Sequence, residues 1–256
     1  MRVALPAALL SVPIAHRALH DWQKRRPENS PAAIKAAIAA GYGIEMDLQL
    51  SSDGVAMVFH DDGLDRLTAE RGPVRARTAA ALQRIALQDS TDTIPTLAQV
   101  LALVAGRVAL LVELKDQSLT MTDTDGRLEA AAVAALVGYK GAVALMSFNP
   151  HSVAHLARLA PHLPRGIITS GYDPQGWSPL PAATCDTLRG IPDYDRTGAS
   201  FISHEASDLA RPRVAELKSE GAAVLCWTIR SPVAEAKART IAQNITFEGY
   251  AAALPA

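Results

Sequence analysis

The chain has 256 residues, 49% of them hydrophobic and 20% charged, which is enough apolar material for a sizeable core. A formal net charge of -1 excludes the broad basic field by which proteins gather nucleic acid or an anionic membrane, so any phosphate must be recognised locally. Two cysteines, Cys185 and Cys226, with neither a CxxC spacing nor a second pair, argue against a disulfide framework or a cysteine-based zinc site.

In chain order, residues 1–10 hold one arginine and a brief apolar run broken by Pro6. Cleavage near Pro13–Ala15 would remove part of the strand that follows, so a mature, cytoplasmic protein is expected. No window reaches the ~18 uninterrupted apolar residues of a membrane span, and no integral membrane segment is expected. The apolar run at Val12–Ala15 delivers His16 and Arg17 at its end. A polar, irregular segment over 18–26 leads to Asn29 or Ser30, either of which caps a helix with Pro31 in its first turn, ending near Gly41.

Residues 44–50 read as a strand, and its alternation places Glu45 and Asp47 on one face, about 7 Å apart. Such a pair either gathers a cation or forms a solvated polar face, because two uncompensated carboxylates are costly in an apolar interior. A turn over 51–54 and a short strand over 55–59 then return His60 toward the pair, beside Asp61 and Asp62. In the loop that follows, Arg66 is expected to brace an acid, with phosphate binding as its other possible role. Residues 96–104 read as a helix and 108–113 as a strand that puts Glu113 and Lys115 on one face. An alanine-rich helix over 127–137 would be capped by Thr124 or Asp125.

The second half alternates strands (143–146, 166–169, 201–203, 223–227, 245–247) with helices (150–159, 208–220, 231–242). Counting strands near Ile14, Glu45, Val112, Ala144, Ile168, Ile202, Leu225 and Thr246 gives eight. Such alternation implies a parallel sheet, and eight repeats in a chain close to the ~250 residues typical of the fold favour a single-domain α/β architecture, a (β/α)8 TIM barrel over residues 1–256. Reactive groups then belong at the C-terminal strand ends, where His16, Glu45, Asp47, Glu113 and Trp227 stand. The Pro- and Gly-rich part over 171–198 is read as irregular, covering the pocket or lying on the surface. His151 and His155 are four apart, but Ser152 stands where HExxH needs glutamate, and an exposed helix face is expected. His204 and Glu205 follow a strand and are the weaker substrate-contact candidates.

Taken together, His16-Arg17, Pro27-Glu28-Asn29, Glu45-x-Asp47, His60-Asp61-Asp62 and Val112-Glu113-Leu114-Lys115, in this order, resemble the glycerophosphodiester phosphodiesterase family. The likeness extends to Ile94-Pro95-Thr96-Leu97, Ser147-Phe148-Asn149 and Cys226-Trp227-Thr228. One departure is Ala18, where family members usually carry glycine after His-Arg. The resemblance implies metal-dependent hydrolysis of a small glycerophosphodiester to glycerol 3-phosphate and an alcohol.

Under that reading, Glu45, Asp47 and Glu113 are hard oxygen ligands suited to one divalent cation, Ca2+ or Mg2+. Arg17 offers a bidentate fork and Lys115 a point charge for phosphate. His16 and His60 act as base and acid in alternation. Glu28 supports Arg17 or the glycerol end, and Phe148 and Trp227 wall the substrate, with core packing as the plainer role for both aromatics. Rival readings are a phospholipase-type enzyme (phospholipase D or C-like) on the same barrel, a sphingomyelinase D-like relative, and a non-catalytic phosphodiester-binding protein. The oligomeric state is left open by the sequence.

Overall fold

The computed structural model describes residues 2–255. Its strands are β1 (Ile14–Ala15), β2 (Gly43–Leu50), β3 (Ala56–Val58), β4 (Leu110–Leu114), β5 (Val143–Ser147), β6 (Arg165–Thr169), β7 (Phe201–Glu205), β8 (Ala223–Ile229) and β9 (Asn244–Phe247). All but β3 run parallel in one sheet, and β1 pairs with both β2 and β9, Ile14 lying opposite Gly43 and Thr246, so the sheet closes into an eight-stranded barrel. β3 returns antiparallel along the C-terminal half of β2, with Leu48 opposite Val58. The expected (β/α)8 TIM barrel is therefore the observed fold.

The helices are α1 (Ala7–Ser11), α2 (Pro31–Ala40), α3 (Ala79–Leu82), α4 (Leu97–Val104), α5 (Arg127–Leu136), α6 (Pro150–Leu159), α7 (Ala182–Arg189), α8 (Pro212–Ser219) and α9 (Pro232–Ala238). Their sequences explain their ends. Ser30 caps α2 by accepting from the Ala33 N–H, and Gly41 ends it in the left-handed region at φ 78°. Thr96 and Gln99 form a reciprocal capping box on α4, whose buried Leu97, Val100, Leu101 and Val104 repeat at helical spacing.

Three expectations are corrected. Gly126, not Thr124 or Asp125, is the N-cap of α5, and its left-handed φ of 72° lets His155 pack within 2.8 Å of where a Cβ would stand. Residues 171–198 are not irregular throughout, since α7 lies inside them. The helix expected from Asp208 begins only at Pro212, because proline has no N–H to donate and suits a first turn; residues 206–208 form a separate 3-10 turn.

Pleating sorts the strand residues into two layers. Ile44, Met46 and Leu48 face outward into the core shared with α2 and α4, while Glu45 and Asp47 face the barrel axis. At the N-terminal end the axis is apolar. Leu5 and Leu9 pack on Ile14, Leu111, Phe201 and Leu225, and the Asn244 amide donates to the carbonyls of Leu9 (2.9 Å) and Val12 (2.7 Å). Glycine at 166 is what lets Phe201 fill the interior, since a Cβ there would lie 2.4 Å from the ring. Each such apolar side chain contributes roughly 1.5–3 kcal/mol on burial. No helix among the described residues is long and apolar enough to cross a membrane.

Candidate active site at the C-terminal end of the barrel

Above the apolar plug the inward-facing residues become charged. Register places Asp47 of β2 directly beside Glu113 of β4, with Glu45 one step below on the same face. All three are buried, at 2%, 1% and 8% exposure for Glu45, Asp47 and Glu113, and one carboxylate oxygen from each lies within 4.8 Å of the others. Three oxygens drawn from two strands thus converge as one hard-ligand set.

The chain turns sharply after β1 to complete this floor. Arg17 and Ala18 both adopt left-handed backbone, at φ 49° and 63°. The Arg17 N–H then donates to the Glu45 carboxylate at 2.8 Å, and the Ala18 N–H to the Glu45 carbonyl at 2.9 Å. Ala18 keeps the loop path despite its methyl group, which is buried, at a conformational cost of about 1 kcal/mol. The Arg17 guanidinium donates to Glu28 (2.9 Å) and lies 3.7 Å from Asp47, while the Asn29 amide donates to Asp47 at 2.8 Å.

Electrostatics separates the acids. Burial, then the neighbouring Asp47 and Glu113 charges, drive the Glu45 carboxyl well above its ordinary range. Burial opposes ionisation of Asp47 too, but His60, Lys115 and Arg17 together hold its carboxyl below the usual value. Lys115 contacts Glu113 at 2.8 Å and Asp47 at 3.7 Å, and these acids outweigh its burial to raise the ammonium above its ordinary value. A divalent cation would relieve the repulsion that opposes Glu45 ionisation, and the all-oxygen donor set suits Ca2+ or Mg2+.

Two imidazoles flank the acids, each tethered by a carboxylate. His60 Nδ1 sits 2.6 Å from Asp61, and its Nε2 is 3.2 Å from Lys115 Nζ. Arg66 chelates Asp61 (2.6 and 2.7 Å) and Glu28 (2.9 and 2.8 Å), so it braces the loop rather than reaching for phosphate. On the opposite side His16 Nδ1 sits 2.6 Å from Glu248, itself held by Arg230 at 2.7 Å. Burial lowers the His16 pKa below its ordinary value, with the Glu248 hydrogen bond opposing the shift.

These groups enclose a cavity of about 180 Å³, walled by Phe148 and Trp227 among others. Phe148 and Trp227 meet edge to face at 5.5 Å, and the Trp227 indole donates to the Ser203 carbonyl at 3.0 Å. Trp227 is therefore both wall and packing element. All ten sequence candidates, His16, Arg17, Glu28, Glu45, Asp47, His60, Glu113, Lys115, Phe148 and Trp227, are gathered here, Glu28 in the layer beneath Arg17.

The site also holds residues that sequence reasoning did not assign. Glu248, Asp61 and Asn29 orient His16, His60 and Asp47. Glu248 directly follows Phe247, the last residue of β9, the strand-end position that singled out the other acids. Other histidines stand apart. His204 is fully buried between Thr169 (2.7 Å) and Asp208 (3.1 Å), which removes it as a substrate contact, and His155 bonds Asp123 at 3.1 Å.

Fold and site together define a (β/α)8 barrel protein with a candidate single-cation centre at the C-terminal mouth, flanked by paired histidines. Residues 16–246 match the model of the glycerophosphoryl diester phosphodiesterase family, and the chain belongs to that family. A glycerophosphodiester phosphodiesterase of Caldanaerobacter subterraneus is 31% identical over 163 residues, 60% of this chain and 65% of that protein. One of Bacillus altitudinis is 30% identical over 164 residues, with the same shares, so these matches span just under two thirds of the relatives' length. Among solved structures, an Oleispira antarctica phosphodiesterase in complex with the product sn-glycerol-3-phosphate superposes with a TM-score of 0.75 at 25% identity, covering 93% of each chain.

Proposed function

We propose that this protein, acting as one domain in the cytoplasm, hydrolyses glycerophosphodiesters to glycerol 3-phosphate and an alcohol with one divalent cation, Ca2+ or Mg2+. The observation that carries the reading is the convergence of Glu45, Asp47 and Glu113 within 4.8 Å of one another, between two carboxylate-tethered imidazoles. Kinship with glycerophosphodiester phosphodiesterases supports the substrate class. The Oleispira relative's glycerol-3-phosphate complex supports a product of the same kind.

The three carboxylates would hold the cation, which when bound neutralises charge on the phosphoryl oxygens. Arg17, fixed by Glu28 on one side, presents its remaining donors to the phosphate, and Lys115 adds a positive charge across the cavity. Burial disfavours the charged form of His16, which suits the imidazole to take the proton of the attacking hydroxyl, that of the adjacent glycerol carbon. His60 delivers a proton to the departing alkoxide. When water opens the resulting cyclic phosphate the two imidazoles exchange roles, so protons balance over the cycle. Phe148 and Trp227 exclude bulk water from this exchange.

The test is release of alcohol from glycerophosphocholine and glycerophosphoglycerol with and without EDTA. Release that chelation stops and Ca2+ or Mg2+ restores is expected. Cation-independent release would refute the assignment of the three acids, and no release with any divalent ion would favour a binding protein.

A further inference from the structure

Among the described residues, three clusters bring metal-ligating atoms of three side chains within 4.8 Å of one another. Glu45, Asp47 and Glu113 form the cation centre proposed above. Glu28, His60 and Asp61 already share a cation, the Arg66 guanidinium, which donates to both acids. His16, His20 and Glu248 form the third, the one with two imidazoles.

Backbone hydrogen bonds hold its members together. The His16 N–H donates to the Phe247 carbonyl at 2.9 Å, which ties the end of β1 to the residue before Glu248, and the Glu248 N–H donates to the Ile229 carbonyl at 3.0 Å. The left-handed turn at Arg17 and Ala18, closed by the His20 N–H on the Ala18 carbonyl at 2.9 Å, brings His20 back toward His16. Glu248 Oε2 then lies 2.6 Å from His16 Nδ1 and 3.5 Å from His20 Nε2, while Arg230 takes the other oxygen, Oε1, at 2.7 Å. His20 Nε2 is buried and makes no hydrogen bond. His16 lines the catalytic cavity, whereas His20 lines a separate depression of about 650 Å³, so an ion can reach the cluster without crossing the cavity.

A buried imidazole nitrogen without a partner beside a carboxylate is an open ligand position. Two nitrogens and one oxygen suit Zn2+ and its borderline neighbours, whereas Mg2+ and Ca2+ take oxygen. Bonds of about 2.0–2.2 Å at tetrahedral angles set ligand atoms roughly 3.3–3.6 Å apart, so the His20 contact fits as it stands and the His16 contact opens by less than about 1 Å.

We propose that His16, His20 and Glu248 form a second metal site, selective for Zn2+ over Mg2+ and Ca2+, and that Zn2+ bound there switches the enzyme off. Occupation changes the His16 tautomer. With Glu248 accepting from Nδ1–H, Nε2 carries the free pair that accepts the hydroxyl proton. Zn2+ takes the Nδ1 lone pair, the single ring proton of the neutral imidazole passes through water to Nε2, and no nitrogen is left to act as base. Binding by these residues is independent of the phosphodiesterase reading; the loss of turnover rests on it.

The experiment titrates Zn2+ calorimetrically into the full chain in excess Mg2+, wild type beside His20→Gln and Glu45→Gln, with each fold checked by circular dichroism. One Zn2+ per chain is expected in the wild type and in Glu45→Gln. His20→Gln should weaken it about tenfold or more, at least what loss of an outer partner costs a metal site. No binding by the wild type, undiminished binding by His20→Gln, or loss in Glu45→Gln, which would place the ion among the three acids, overturns the site. Should His20→Gln fail to fold, Co2+ in the wild type reads the same ligands: NMR shifts of the ring protons of two imidazoles support the site, and fewer than two refute it. Zn2+ should also stop cleavage of glycerophosphocholine by the wild type over the range in which it binds, and His20→Gln, active without Zn2+, should need about tenfold more. Zn2+ bound with turnover unchanged overturns the switch. A wild type that cleaves no glycerophosphodiester refutes the phosphodiesterase reading instead, and the calorimetry still decides the site.

Discussion

The two ends of the barrel are made by the same strands and are chemically opposite. On β4, Leu111 faces the N-terminal plug and Glu113, two residues on, faces the cavity; on β8, Leu225 and Trp227 divide in the same way. The lower layer is closed by Leu5 and Leu9 and by the Asn244 amide, which donates to the Leu9 and Val12 carbonyls. The upper layer concentrates three buried acids, and one of them, Glu45, is held in a setting that resists its ionisation. Stability therefore resides at one end, where packing is apolar, and chemistry at the other, where charge is tolerated at a cost. That division can be broken one layer at a time.

The largest effect is expected at Glu45. Glu45→Gln should abolish cation-dependent turnover, yet raise the Tm of the cation-free protein, since it replaces a buried acid crowded by Asp47 and Glu113 with a neutral isostere; each kcal/mol gained corresponds to about 2–4 °C in a chain of this size. The sign follows from linkage. A carboxyl whose folded pKa lies above its unfolded value of 4.5 favours the fold while protonated and loses that contribution as pH rises through the folded value. The Tm advantage of the variant should thus widen from acidic to neutral pH, and scanning calorimetry in EDTA at several pH values measures it. A variant less stable than wild type throughout would contradict the picture of a strained upper layer.

Next come the imidazoles. His16→Ala and His60→Ala should each reduce kcat by ~100- to 10,000-fold, the usual range for a positioned acid or base, with the fold retained by circular dichroism. The lower layer supplies the converse. Leu111→Ala should cost ~2–5 kcal/mol in denaturant unfolding, through lost burial and the void left behind, while the turnover of folded molecules stays near wild type. Equal damage to turnover would show that the two layers are not separable.

Glu248→Gln sharpens the comparison within the upper layer. Because the Glu248 hydrogen bond raises the His16 pKa against the lowering by burial, its loss should shift the acid limb of the pH–rate profile to lower pH. The accompanying fall in kcat should be smaller than that of His16→Ala. The smallest effect is expected at Ala18, held at φ 63° in the left-handed region. Ala18→Gly should stabilise the chain by no more than about 0.5 kcal/mol, the relief of a strained methyl less the added chain entropy, as read by urea titration.

What the sequence disclosed and what it hid follow the same physics. Glu45, Asp47 and Glu113 were legible because the period of a strand is two, so one spacing rule assigns a face. The eight strands were legible because apolar runs and helix caps such as Ser30-Pro31 and Thr96 punctuate them. Glu248 was not assigned, because its partner His16 lies 232 residues away and no local pattern joins them. The helix α7 was hidden by the prolines and glycines around it, Pro179, Pro181 and Gly190, which read as loop although the eight residues 182–189 between them are helical. The late start of α8 is set by Pro212, whose missing N–H suits the first turn, while the apolar periodicity runs on upstream of it.

The shared cation is tested most directly by calorimetric titration of the EDTA-treated protein with Mg2+ and with Ca2+, wild type beside Glu45→Gln. One site per chain is expected in the wild type, lost or weakened at least tenfold in the variant. Undiminished binding to Glu45→Gln, or no binding to a wild-type protein that still cleaves glycerophosphodiesters, would contradict the account.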